Sequence, residues 1–406
     1  MEKKKRHIGR KILLVLLAVA VIYAIINLVL KFTVGKTAAD GAVSGQVPRV
    51  ELGWDEAMAD GVLSPEELAI HYAPDIDAAV NVLLSDGGRG DFLTAVDYDG
   101  DWNCANNWQN VTAASLAAVV YYSVQETETH YFIGYDFYHP RDDAEVWLDR
   151  HENDFEGILL SVRKAEDGFG TVEVMYTQGH GGVPFFFNED SRLSVTAGSH
   201  RDGGLLLDGD RPIIYITPNG TLDYAGHSVE SALDHSVYWS VGNSGIRYYN
   251  GGTAEVPATW NGAYTDNRCS YELRSLDELW DKRNEPHNET STFGEYAAFN
   301  GDDWEKNAAN PAWGWRNKTD YGFGGSFLSD PAWTLSCALD GLENFSHVYV
   351  SNPYADHILT VTSVTLPADG TYHLVIRRDG WDFSKPVWTS IVGKAGDTLP
   401  VAISPA

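Results

Sequence analysis

Thiols, basic residues and nucleotide motifs are all in short supply in this chain. Of 406 residues only three are cysteine, Cys104, Cys269 and Cys337. Their scatter gives no zinc-ribbon spacing and allows at most one disulfide; buried small hydrophobes are an equally good reading of them. Only 29 Lys and Arg stand against 57 Asp and Glu, a formal charge of -28. Residues 1–31 hold seven Lys and Arg against the single Glu2, so the rest of the chain carries -34. Such a surface repels nucleic acid and anionic lipid unless metal ions bridge, and charge alone argues against nucleic-acid binding. There is no βαβ alternation, no GxGxxG and no P-loop, and no Gly-x-Ser-x-Gly supplies a nucleophile. No arginine cluster is set out for a phosphoryl group.

Long apolar runs are missing with one exception. Residues 12–30 are nineteen uncharged positions closed by Lys31 and preceded by Lys3, Lys4, Lys5, Arg6, Arg10 and Lys11. That length spans a hydrocarbon core, and the basic flank puts the N-terminus inside and everything after Lys31 outside. Lys31-Phe32 follows the run where a signal peptide would carry a small-x-small site, which favours an uncleaved anchor. The expectation is a single-pass cell-membrane protein: a transmembrane segment over 1–32, a flexible linker over 33–62, an extracellular β domain over 63–355 and a small β appendage over 356–406. Five Asn-x-Ser/Thr sequons, at Asn110, Asn219, Asn288, Asn317 and Asn344, matter only in a eukaryotic secretory setting, and the N-terminus looks bacterial.

Strand patterns dominate what is present. Residues 117–125 alternate with Val120, Tyr122 and Val124 on one face, a polar turn follows over 126–129, and 130–138 returns. A second hairpin joins 155–164 to 171–177, and 211–216 is a continuous apolar strand. Helices are short. Ser64-Pro65-Glu66-Glu67 gives an N-cap, a Pro at the first position and acids in the first turn, and Ser275-Leu276-Asp277-Glu278 opens another helix to about Lys282. Pattern alone therefore implies an all-β antiparallel β-sandwich with short peripheral helices, preceded by the transmembrane helix.

The chemistry concentrates where the aromatic strand Tyr131, Phe132, Tyr135, Phe137, Tyr138 stops at Pro140. The next fifteen residues, 142–156, hold Asp142, Asp143, Glu145, Asp149, Glu152, Asp154, Glu156 and His151. A solvated acidic loop is one reading. The other is a divalent-cation site, because carboxylate oxygens and one imidazole suit calcium or magnesium, with manganese or zinc behind them. Period-2 alternation puts Asp154 and Glu156 on one strand face, and His151 joins them only if the chain turns at Glu152-Asn153, which Asn tolerates. The Asp97-Tyr98-Asp99-Gly100-Asp101 turn resembles part of a calcium loop but lacks the later Glu.

GYDFYHPRD followed by RHENDFEG resembles the necrosis- and ethylene-inducing toxin family, in which an aromatic-x-Pro-Lys-Asp run leads to a Gly-His-Arg-His-Asp-Trp-Glu heptapeptide. It is similar too to bacterial and fungal relatives of the vacuolar protein sorting 62 family. Here Glu152-Asn153 stand for the Arg-His pair and Phe155 for Trp. The likeness covers roughly 64–355 and is specific only over 131–157. It implies a sandwich with an ion at one end and metal ligands at Asp142, His151, Asp154 and Glu156. Asp143, His180 and His227 form a second rank: Gly179-His180-Gly181 resembles the toxins' Ser-Ala-His-Gly, and Gly226-His227 follows a strand opening Arg211-Pro212 where the relatives have His-Pro. Two functional classes follow. One is a surface module whose ion takes hydroxyls or phosphates of a glycan or lipid head group. The other is a metal-dependent hydrolase with His180, Asp154 or Glu156 as base. A purely structural ion is a third reading.

Overall fold

The computed structural model describes residues 49–81, 85–143, 151–178, 185–193, 201–219, 227–232, 243–252, 267–283, 285–294, 298–301, 309–314, 326–339 and 344–354, with four short strands beyond. The anchor expected over 12–30 lies outside the described residues, and among these no helix is long and apolar enough to cross a membrane.

The hairpin read from alternation is the centre of the fold. β2 (Val119–Thr127) pairs with β3 (His130–Asp142), which pairs in turn with β4 (His151–Arg163), both couplings antiparallel. Val120 and Val124 enter one apolar cluster with Ile133, Tyr135, Phe137, Ile158, Leu160 and Val162. Val119, Tyr121, Tyr138 and Phe155 point the other way, into a second cluster. The strands are buried on both faces, so the clean hydrophobic-in, polar-out pattern of a half-solvated sheet is absent.

The remaining strands extend this ladder on both sides. They are β1 (Asp75–Asn81), β5 (Thr171–Gln178), β6 (Phe185–Phe187), β7 (Arg201–Gly204), β8 (Leu207–Asp208), β9 (Arg211–Ile216), β10 (Val229–Ser231), β11 (Asn243–Asn250), β12 (Asn267–Ser275) and β13 (Tyr349–Ser351). All thirteen join one sheet in the order β10-β9-β1-β11-β12-β2-β3-β4-β5-β6-β7, with β13 on β2 and β8 on β9. The antiparallel sandwich expected from pattern is therefore corrected to a curled mixed sheet: β1 with β9, β11 with β12, β12 with β2 and β6 with β7 run parallel. Alternation fixes which side chains face a core, but carries no information about which neighbour a strand takes. Curling follows from the shared interior. Ile76, Val80, Ile214, Ile216, Ile246, Tyr248 and Tyr271 of one wing lie in the same cluster as Ile133, Phe137 and Leu160 of the other.

The chain after β12 wraps the outer face. Leu276 and, from the helix Asp277–Lys282 that it precedes, Leu279 and Trp280, with Phe293 and Phe299, cover Tyr138 and Phe155. Ala332 and Leu335 of the helix Pro331–Ala338 cover Phe132, Leu159 and Tyr176. Ser64 caps the helix Pro65–His71 reciprocally: Glu67 N–H donates to its Oγ at 3.2 Å and its own N–H donates to Glu67 Oε2 at 2.8 Å. At the second expected capping box only the Ser275 Oγ bond from Asp277 N–H, 3.2 Å, is seen. The linker expected to run to residue 62 is already packed from Arg49 onward: Val50 N–H donates to Asn250 O at 2.8 Å, Arg49 pairs with Asp75 and Asp208, and Trp54 sits edge-on to Phe169. In the appendage, β14 (Val364–Thr365) pairs with β17 (Thr398–Leu399) and β15 (Gly370–Val375) with β16 (Trp388–Gly393), both antiparallel. Cys104 and Cys269 are both buried, as small hydrophobes would be.

Candidate metal centre

The described ends of the acidic stretch, up to Asp142 and from His151, are strand. β3 continues through Pro140 to Asp142 and β4 begins at His151, so that Asp142 stands opposite His151, His139 opposite Asp154 and Phe137 opposite Glu156. Strict pleating would send Asp142 and His151 to the face opposite Asp154. It is interrupted at Asn153, whose φ of 58° is left-handed, across from Pro140. This is the turn on which the approach of His151 depends.

Asn153 is held there by its own side chain. Its Oδ1 accepts from Asn107 Nδ2 at 3.2 Å and from the Tyr138 hydroxyl, while its Nδ2 donates to Cys104 O at 3.0 Å and Asn300 O at 2.7 Å. As a result one ligand atom from each of Asp142, His151 and Asp154 lies within 4.8 Å of the others. His151 Nε2 is 3.7 Å from Asp142 Oδ2. Two carboxylates and an imidazole at this spacing fit around one divalent ion with ligand bonds of about 2.0–2.6 Å. Asp142 and Asp154 are fully buried and His151 is partly exposed, so the group opens to solvent on the imidazole side.

Behind Asp154 lies a second layer of charge. His227 Nδ1 is 2.7 Å from Asp154 Oδ2 and its Nε2 is 2.8 Å from Asp91 Oδ1, all three side chains being buried. Burial alone would lower the His227 pKa; the hydrogen bonds and charges of Asp154 and Asp91 outweigh it and hold it well above 6.5. His139 stacks on His227 with ring centres 3.9 Å apart, and burial together with that neighbouring positive charge pushes its pKa well down. Its Nδ1 lies 3.2 Å from Asp91 O. Asn219 ties these groups to the end of β3: its N–H donates to Asp91 Oδ1 at 2.8 Å, its Nδ2 to Arg141 O at 3.0 Å, and its Oδ1 accepts from Asp143 N–H at 2.7 Å.

The expected residues separate accordingly. Asp142, His151 and Asp154 converge, and His227 contacts the converging group directly. Asp143 is turned to Arg141, whose Nε donates to it at 2.9 Å while the guanidinium stacks over Trp108 at 4.6 Å. Glu156 is buried on the same strand, but no atom of it belongs to the converging set. His180, Glu145 and Asp149 lie outside the described residues. The calcium-like turn closes on itself: Asp99 accepts from Asp101 N–H and Asn110 Nδ2, and Asp101 from Asn103 N–H and Asn106 Nδ2. Asn219, one of the sequons, is completely buried and fully engaged, which removes it as a glycan acceptor. Sequence reading missed Asp91 and His139. Asp91 closes an Arg-Gly-Asp tripeptide that reads as a surface turn, and His139 was hidden inside the aromatic strand.

No protein-family model and no curated protein matches this chain. Fourteen chains of solved structures do. "NLPPya in complex with mannosamine" is 11% identical, with a TM-score of 0.33, over 72% of this chain and 96% of that one. "Toxin fold for microbial attack and plant defense" is 14% identical, TM-score 0.31, over 63% and 94%. "NLPPya in complex with glucosamine" is 13% identical, TM-score 0.29, over 58% and 83%. These neighbours are toxin-fold structures of the necrosis and ethylene-inducing group. At such scores the likeness carries no argument for the site, which stands on its own geometry.

Proposed function

We propose that this protein is a divalent-cation-dependent binding module displayed at the cell surface, taking the hydroxyl groups of a glycan or lipid head group. The observation that carries this reading is the convergence of Asp142, His151 and Asp154 within 4.8 Å beside a partly exposed imidazole. Two carboxylates and a neutral imidazole balance a doubly charged ion. Calcium takes about six to eight ligands, so the three donors among the described residues leave room for others. An ion so neutralised, on a chain carrying -34 beyond residue 31, favours neutral hydroxyl donors over free anions. Amino sugars accompany NLPPya in two of the similar structures. The apolar run at 12–30 would anchor the domain in the membrane.

The experiment is capture of glycans on an array, and of vesicles bearing glycolipid head groups, in calcium, in manganese and in chelator. Capture is expected only with the ion, and Asp142→Asn and Asp154→Asn should abolish it. Capture that persists in chelator, or in those variants, would remove the basis for the reading.

A further inference from the structure

We propose that Asp91 is a positioning residue for the cation site: acting through His227, it fixes the Asp154 carboxylate in the orientation that meets an ion shared with Asp142 and His151. This inference rests on the cation-binding reading above. Both ring nitrogens of His227 face a carboxylate oxygen, at 2.7 Å and 2.8 Å. The ring is therefore a bridge that cannot flip without losing a hydrogen bond. Stacking on His139, at 3.9 Å and 12° between planes, fixes the ring plane as well.

Asp91 is itself anchored. Its Oδ2 accepts from Asn81 N–H at 2.7 Å and its Oδ1 from Asn219 N–H at 2.8 Å, joining the end of β1 to the segment after β9. The chain Asp91–His227–Asp154 thus starts at a fixed post and ends at a ligand. Asp154 Oδ2 accepts from His227 and Oδ1 from Phe155 N–H at 2.9 Å. An apolar trio would fill the same space at lower electrostatic cost. Two buried acids bridged by a histidine make sense where a carboxylate must be aimed. Outer partners of metal ligands commonly change metal affinity by roughly 10- to 100-fold when removed.

The test titrates calcium and manganese alone into the full chain, its Asp91→Asn variant and its Asp142→Asn variant, by calorimetry. It is paired with nitrogen-15 spectra of the histidine rings in the unaltered protein. Asp91→Asn is expected to bind roughly 10- to 100-fold more weakly, Asp142→Asn not to bind, and the His227 ring signals to move on calcium addition. Unchanged affinity in Asp91→Asn overturns the role of Asp91 and leaves the cation reading intact, whereas no binding by the unaltered protein overturns both. Should Asp91→Asn fail to fold, the spectra decide: a His227 ring that calcium leaves unmoved overturns the inference.

Discussion

Asn153→Ala tests the turn that assembles the site. The residue is fully buried, its φ is 58°, and four hydrogen bonds converge on its side chain, from Asn107 and Tyr138 and to Cys104 and Asn300. A left-handed residue with a Cβ costs about 1 kcal/mol, and Asn is among the few that adopt it routinely. Four lost hydrogen bonds at about 1 kcal/mol net each bring the expected destabilisation to about 3–5 kcal/mol after partial rearrangement. Against a typical total of about 5–15 kcal/mol, that is a large fraction. Asn153→Gly loses the same bonds without the left-handed penalty, and should be about 1 kcal/mol milder. Urea midpoints at pH 7, with slopes compared to confirm that the transition is unchanged, measure both. An Ala variant within about 1 kcal/mol of the parent, or Ala and Gly variants of equal stability, would refute the reasoning.

Other consequences are as direct. Glu173 is buried among His130, Arg163 and Arg192; burial raises its pKa, but the hydrogen bonds of those three groups outweigh this and set it at about 2, below its usual 4.5. The folded pKa is depressed, so its contribution, roughly 3 kcal/mol before screening of the half-exposed Arg192, is complete above pH 4.5 and lost as pH falls towards 2. Stability measured from pH 6 down to about 2 should fall less steeply in Glu173→Gln than in the parent, and an equal fall in both would contradict this. Gly170 has φ 116°, and a Cβ there would sit 2.4 Å from Arg163 O, so Gly170→Ala should cost more than about 2 kcal/mol; a neutral effect on the thermal midpoint would contradict this backbone.

The candidate site was legible where chemistry and local geometry coincide. The crowding of acids around His151, and the tolerance of Asn153 for a turn, both lie within one short stretch of sequence. The hairpin of β2 and β3 and the Ser64 cap were legible for the same reason, being encoded over a few residues. Pairing across distance was not. Asp91 reaches the site from the short 3-10 helix Arg89–Asp91, and Asn219 and His227 from the stretch between β9 and β10, segments that only the curled sheet brings together; nothing local in an Arg-Gly-Asp tripeptide announces that its aspartate will be buried. The parallel couplings of β1 with β9 and of β12 with β2 have the same origin, since closure of the shared interior and not strand alternation selects them. Residues 49–62 read as a tether because Gly, Ala and Asp dilute them, yet Arg49 and Val50 find partners on the sheet and Trp54 one in the turn between β4 and β5.

The central claim is that Asp142, His151 and Asp154 hold one divalent ion. Thermal unfolding of the chelator-treated protein with added calcium, magnesium or manganese tests it most directly. Binding at 100 times the dissociation constant stabilises by about 2.7 kcal/mol, so the midpoint should rise by several degrees with at least one of these ions, and the rise should vanish in an Asp142→Asn, Asp154→Asn double variant. No rise with any of the three ions, or an equal rise in the double variant, would contradict the account.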